Sequence, residues 1–221
     1  MSRAPLLSDF RAHGVEACAL LAQPSKLGTL FMLRRIEITE YMLPIQLVAQ
    51  IVSACEELLH FLCEWEAHPS WTGTLPGTLP DLYASLLRHS ETLKSLHLDL
   101  RDEGCLDDLD ASQCISTSRP FKCLEALVIS ENCFLSSCYP FPPCWKRDDH
   151  LPPMTELLLA CLSSFGMIVS WIPEEMNYGD ADDSPSLWDL FADYKLSGLN
   201  LKHIGVGGKF YPRAPNLTKA F

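Results

Sequence analysis

The chain has 221 residues, of which 48% are hydrophobic and 20% charged, and its net charge is −11. That balance suits one sizeable core or a stack of small units and argues against overall disorder. The negative total repels a phosphate backbone, so nucleic acid is not an expected partner.

Taken in chain order, residues 1–30 are expected to cap the domain. An irregular start, MSRAPLLSDFRAHG, has no apolar run of signal-peptide length, and a short helix over GVEACALLAQ follows. A strand is predicted next, at LRRIEI, where Leu33, Ile36 and Ile38 are apolar. Pro44 then opens a helix that places Ile45, Val48, Ala49, Val52 and Cys55 on one face. LLHFLC predicts a second strand, and residues 66–80, rich in Pro, Gly and Thr, predict a loop. Pro80 opens a second helix, with Leu82, Leu86 and Leu87 near one face. It leads into LKSLHLDL, whose alternation marks a half-buried strand.

Residues 101–120 read as an acidic loop with a short helix near Asp107 to Cys114, and LEALVI as the next strand. The stretch 132–153 holds five prolines and predicts an exposed insertion. MTELLL predicts a fifth strand. It begins the longest uncharged run, residues 157–173, which is marginal in length for a membrane span of about 20 residues and is read as a buried strand with its following loop. Residues 173–184 form an acidic loop. Ser184 as N-cap and Pro185 then start a helix carrying Leu187, Leu190, Phe191 and Tyr194. LSGLNL closes the series, and residues 206–221 are expected to be a tail. No membrane contact is expected, and the compartment is expected to be cytoplasmic or nuclear. The ten cysteines are expected to be reduced, with Cys55, Cys63, Cys123 and Cys161 buried in apolar runs as small hydrophobes.

The predicted strands share one spacing, apolar-x-x-apolar-x-apolar. It starts at Leu33, Leu58, Leu93, Leu124, Met154 and Leu196, at intervals of 25, 35, 31, 30 and 42 residues. In each copy the last two apolar residues would face a shared core, and the first would anchor the turn into the strand. One unit is too small to bury that face, so neighbours must stack. The expected fold is therefore α/β: a single domain forming a leucine-rich-repeat-like solenoid over residues 31–205, with a curved parallel sheet and helices on the convex side.

The alternation in LLRHSETLKSLHLDL, FKCLEALVIS and LPPMTELLLA resembles the divergent leucine-rich repeats of fungal F-box/leucine-rich-repeat proteins, over about residues 30–205. The resemblance implies a substrate-recognition role in a cullin-type ubiquitin ligase. The usual asparagine ladder is missing, and no Leu-Pro start with an amphipathic helical bundle precedes Leu33. The segment that would dock the ligase adaptor is thus not legible.

Three outward rows are expected across the sheet. The first reads Arg35, His60, Ser95, Ala126, Glu156, Gly198; the second Glu37, Leu62, His97, Val128, Leu158, Asn200; the third Thr39, Glu64, Asp99, Ser130, Ala160, Lys202. Arg35, Glu37, His60, Glu64, His97, Asp99, Asn200 and Lys202 are the candidate binding residues of a concave face that is polar over the first units and apolar over the next two. The expected function is non-catalytic binding of a protein partner, with no cofactor. The competing expectation is a small hydrolase-like enzyme in a non-repeat α/β fold.

His60, Glu64, His97 and Asp99 also invite a zinc or acid–base reading, but cross-strand polar pairing is favoured, because no nucleophile or oxyanion pocket accompanies them. Cys133, Cys138 and Cys144, with His150, are too widely spaced for a structural zinc site and are read as loop cysteines. HIGVGGKF lacks the phosphate-loop frame and is read as a flexible exit from the last unit, and a G-x-S-x-G elbow is absent. Trp65, Trp71 and Trp145 could anchor a partner, although covering the core edge is the favoured reading.

Overall fold

The structure, a computed structural model, describes residues 7–14, 32–41, 43–65, 78–100, 115, 118–130, 133, 158, 161–168 and 201–207. Seven strands appear: β1 (Asp9–His13), β2 (Arg35–Tyr41), β3 (His60–Trp65), β4 (Ser95–Asp99), β5 (Ala126–Ser130), β6 (Ser164–Ile168) and β7 (His203–Gly207). They form one open sheet in strict chain order, and every neighbouring pair is parallel. Helix α1 (Ile45–Ser53) connects β2 to β3, and α2 (Leu79–Leu87) connects β3 to β4. Parallel neighbours require such crossovers, because a tight turn can join only antiparallel strands.

The recurring spacing builds the core. Its first residues, Leu33, Leu58, Leu93 and Leu124, are completely buried at the strand entries. The later two, Ile36 and Ile38, Phe61 and Cys63, Leu96 and Leu98, Leu127 and Ile129, are buried on one side of the sheet. Both helices pack into the same apolar cluster, with Ile45, Val48, Val52, Leu79, Leu82 and Leu86 buried in it. The opposite strand parity is partly open to solvent: β3 alternates half-buried and buried along its length, as a strand must when only one face is covered.

The units are also joined by a repeated backbone clasp. The carbonyl just before each strand accepts two N–H donors from the start of the next strand. Ser8 O takes Arg34 and Arg35, Arg34 O takes Leu59 and His60, and Leu59 O takes Lys94 and Ser95. Lys94 O, Glu125 O and Ser163 O continue the series to Lys202 and His203. The clasp satisfies backbone groups where the strands begin and places those beginnings side by side.

Local sequence explains the helices. Thr78 caps α2 by accepting from the Asp81 N–H, and the Asp81 carboxylate accepts from the Thr78 N–H in return. Helix α1 has no side-chain N-cap. Two carbonyls near its C-terminal end instead gain side-chain donors: Cys55 Sγ reaches Ile51 O, and His89 Nε2 lies 3.0 Å from Val52 O. The other ring nitrogen of His89, Nδ1, accepts from the Leu58 N–H at 3.3 Å. One buried imidazole therefore ties the end of α1 to the entry of β3, in the tautomer that carries its proton on Nε2.

Several expectations are corrected. Apart from Leu158, the fifth predicted strand at MTELLL lies outside the described residues, and strand β6 follows it, where Leu162, Phe165 and Met167 carry the same spacing and are buried. Leu158, expected on an outward row, is a buried bend residue. The run at residues 157–160 is apolar on both parities, which suits complete burial. Ser164 and Gly166 instead alternate with Phe165 and Met167, as a half-open strand requires. The sixth predicted strand, LSGLNL, lies outside the described residues apart from Leu201, and strand β7, missed in the sequence, carries the same spacing at Leu201, Ile204 and Val206. The glycines of HIGVGG thus begin inside a strand and are not a flexible exit.

Residues 9–13, expected to be part of an irregular cap, form edge strand β1, where Phe10 packs against the core. Gly14 ends it at φ 65°, a left-handed conformation that favours glycine. Cys55 and Cys63 are buried as expected, whereas Cys123 and Cys161 are exposed. Each precedes a buried entry leucine, Leu124 or Leu162, so its side chain points the other way. The expected helices at 14–23, 107–114 and 185–195, and the expected loops at 66–80, 101–120, 132–153 and 173–184, lie outside the described residues except at Gly14, residues 78–80, 115, 118–120 and 133, of which Leu79 and Pro80 already belong to α2. No helix among the described residues is long and apolar enough to cross a membrane.

Two outcomes follow. Phe165→Ala should lower unfolding stability by about 3–5 kcal/mol in urea denaturation, because it empties a core position of β6. His89→Phe should cost about 1–3 kcal/mol by leaving the Leu58 N–H without its acceptor. Burial lowers the His89 pKa below its usual 6.5, against a smaller upward pull from the hydrogen bond to the Val52 carbonyl, and the Arg88 charge adds a lesser downward push. The unfolded chain therefore takes up the proton first, so this contribution to stability is present above about pH 6.5 and is lost as pH falls toward the folded-state pKa. Unfolding curves between pH 8 and 5 should show a shallower acid loss in His89→Phe than in the wild type.

Candidate functional site

The register places the half-open side chains in rows. The first row runs Asp9, Arg35, His60, Ser95, Ala126, Ser164, His203. The second runs Arg11, Glu37, Leu62, His97, Val128, Gly166, Gly205. A third begins His13, Thr39, Glu64, Asp99. Five expected residues, Arg35, Glu37, His60, Glu64 and His97, therefore share one face as predicted.

Asp99 and Lys202 do not join them in the expected way. Asp99 is nearly buried, so it is not an open contact group at the end of β4. Ser130, expected outward, is completely buried: its hydroxyl accepts from the Leu100 N–H and lies 3.2 Å from Cys133 Sγ. Lys202 is exposed but precedes β7, where its N–H joins the backbone clasp. Asn200 lies outside the described residues, as do Trp71 and Trp145, and Trp65 is buried in the core. The sequence reading missed Asp9, Arg11 and His13 on β1. Leu7, Phe10 and Ala12 carry the same spacing, but alanine in the last place is too weak an apolar signal to score.

At the β1–β2 end the face is an ion-pair mesh. Arg11 Nε lies 3.0 Å from Glu37 Oε2, and Arg35 spans Glu37 at 3.5 Å and Asp9 at 3.9 Å. His13 Nδ1 meets Thr39 Oγ1 at 3.0 Å. One strand pair further on, His97 Nε2 lies 3.3 Å from Glu64 Oε1, a cross-strand polar pair of the favoured kind. Burial, followed by the nearby Arg35 and Lys94 charges, lowers the His60 pKa from its usual 6.5. Near pH 7 this ring is therefore a neutral hydrogen-bonding group between charged neighbours.

The β5–β7 end differs. Val128, Gly166 and Gly205 occupy the middle row there, and the Val128 side chain leans over the bare Gly166 backbone: a Cβ at Gly166 would lie 3.2 Å from Val128 Cγ2. The middle row thus passes from charged to small and apolar. No group of three or more His, Cys, Asp or Glu among the described residues is placed to hold a metal ion.

No protein-family model, no curated protein and no solved structure matches this chain. The described residues make it an α/β protein with an open, all-parallel sheet and two helices.

Arg11 and Glu37 are 65% and 29% exposed, so their attraction is strongly screened. A double-mutant cycle on Arg11→Ala and Glu37→Ala should return a coupling of about 0.2–1 kcal/mol, shrinking as salt is raised toward 1 M.

Proposed function

We propose that the chain is a leucine-rich-repeat-like solenoid that acts as a non-catalytic interaction module, binding a protein partner on a concave strand face. What carries this reading is the open face itself: seven strands in register, one side packed by helices, the other presenting aligned side-chain rows. Solenoid sheets commonly bind in this way. Sequential strand order and the recurrent clasp support the repeat reading. The face suits an extended protein segment with a charged portion over β1–β4 and a small or apolar portion over β5–β7. A role in substrate recognition for an F-box-type ubiquitin ligase rests on leucine spacing alone.

The test compares affinity capture by the wild-type chain with capture by two variants. One carries Glu37→Ala, Glu64→Ala and His97→Ala on the open face; the other carries Gln46→Ala and Arg88→Ala at exposed positions on the helix side. The open-face variant should lose at least tenfold of the captured partner, and the helix-side variant should keep it. Equal capture by all three chains would sink the proposal. Purified ligase adaptor, added as a separate arm, tests the F-box role: binding by the wild-type chain supports it, and no binding removes it.

A further inference from the structure

Two exposed cysteines occupy the same place in successive units. Cys123 precedes Leu124 at the entry of β5, and Cys161 precedes Leu162 at the entry of β6. Thr92 holds that place before β4, and its hydroxyl donates to Leu58 O in the preceding unit. The thiols point back along the stack in the same sense. Cys123 Sγ donates to Glu91 O at 3.0 Å. Cys161 Sγ lies 3.5 Å from both Lys122 O and Leu124 O, the two carbonyls that flank Cys123 in the chain. The Cys161 sulfur is thus seated against the backbone of Cys123.

Neighbouring parallel strands are about 4.8 Å apart, and the clasp from Glu125 O to Ser163 and Ser164 holds these two entries together. That spacing falls within the range of about 4.4–6.8 Å between Cα atoms that a disulfide spans. Cys123 need only leave a weak S–H contact with Glu91 O and rotate about its side-chain bond to meet Cys161. Both thiols are open to solvent, unlike Cys55, Cys63 and Cys133, and Cys55 is further protected because burial raises its pKa to about 11.

We propose that Cys123 and Cys161 form a reversible intramolecular disulfide by exchange with a low-molecular-weight disulfide such as oxidised glutathione. The Cys161 thiolate attacks one sulfur of the small disulfide and releases one thiol. The Cys123 thiolate then attacks Cys161 in the mixed disulfide and releases the second. Two electrons pass from the protein pair to the small molecule, and the two protons lost by the protein thiols balance those on the released thiols. The bond would staple the fifth strand entry to the sixth.

The test incubates the native full chain with oxidised glutathione, blocks remaining thiols with an alkylating agent, and maps peptides without reduction. The expected result is a linked peptide pair joining Cys123 to Cys161 as the main product, reverting to free thiols with dithiothreitol. Cys123→Ser should convert Cys161 to a stable glutathione adduct, and Cys161→Ser should do the same to Cys123. Separate adducts on both cysteines of the wild type, a link from either one to a different cysteine, or no reaction at either would overturn the proposal. Thermal unfolding of both serine variants under reducing conditions checks folding. A variant that unfolds early is replaced by the matching alanine variant, so that adduct mapping still decides.

Discussion

Each strand in this protein begins where the previous one permits. The carbonyl before a strand receives two backbone donors from the next unit, and the same arrangement recurs from Ser8 to His203. Backbone polar groups at the rim of a core have to be satisfied, and here each unit satisfies its neighbour. The entry leucine sits one residue before this carbonyl and is buried from Leu33 through Leu162. Polar satisfaction and apolar burial therefore converge on one short stretch before each strand from β2 to β6. That convergence prevents a one-residue slip, which would turn every inward side chain to solvent.

Once the entries are aligned, the two sheet faces are decided together. Inward positions carry Ile, Phe, Leu, Cys and Met and meet the helices, and outward positions fall into rows of mixed character. The charged mesh on β1 and β2 contributes little to stability, because its members are exposed. It sets a pattern of charge where a partner could approach. The glycines of β6 and β7 give the other end a low relief against Val128. His89 plays the opposite role: buried and doubly hydrogen-bonded, it joins helix to strand and presents nothing to a ligand.

Leucine spacing was reliable where outward residues were polar. The strands at Arg35, His60 and Ser95 were legible because charged or polar residues largely alternate with apolar ones, whereas at Ala126 the leucine spacing alone carried the reading. It did not single out β6, because at MTELLL three consecutive leucines satisfy the same spacing without any alternation. Ser164–Ile168 lay eight residues on, with Phe165 and Met167 in place of leucines. Edge strand β1 was hidden for a related reason, since Ala12 adds little apolar signal. The burial of Asp99 and Ser130 was not readable at all, because it depends on contacts between separate segments, such as that of Ser130 with the Leu100 N–H.

By itself the sequence determined the class of the protein, the direction of its strands and four of their positions. Those follow from local period and from the need of small amphipathic units to share a core. Only the tertiary structure decided that residues 164–168, 203–207 and 9–13 join the sheet, and that Cys161 rests against Cys123. The physical reason is the same in each case. Spacing along a chain states which residues can share a face, whereas pairing between distant segments depends on backbone partners that no local pattern contains.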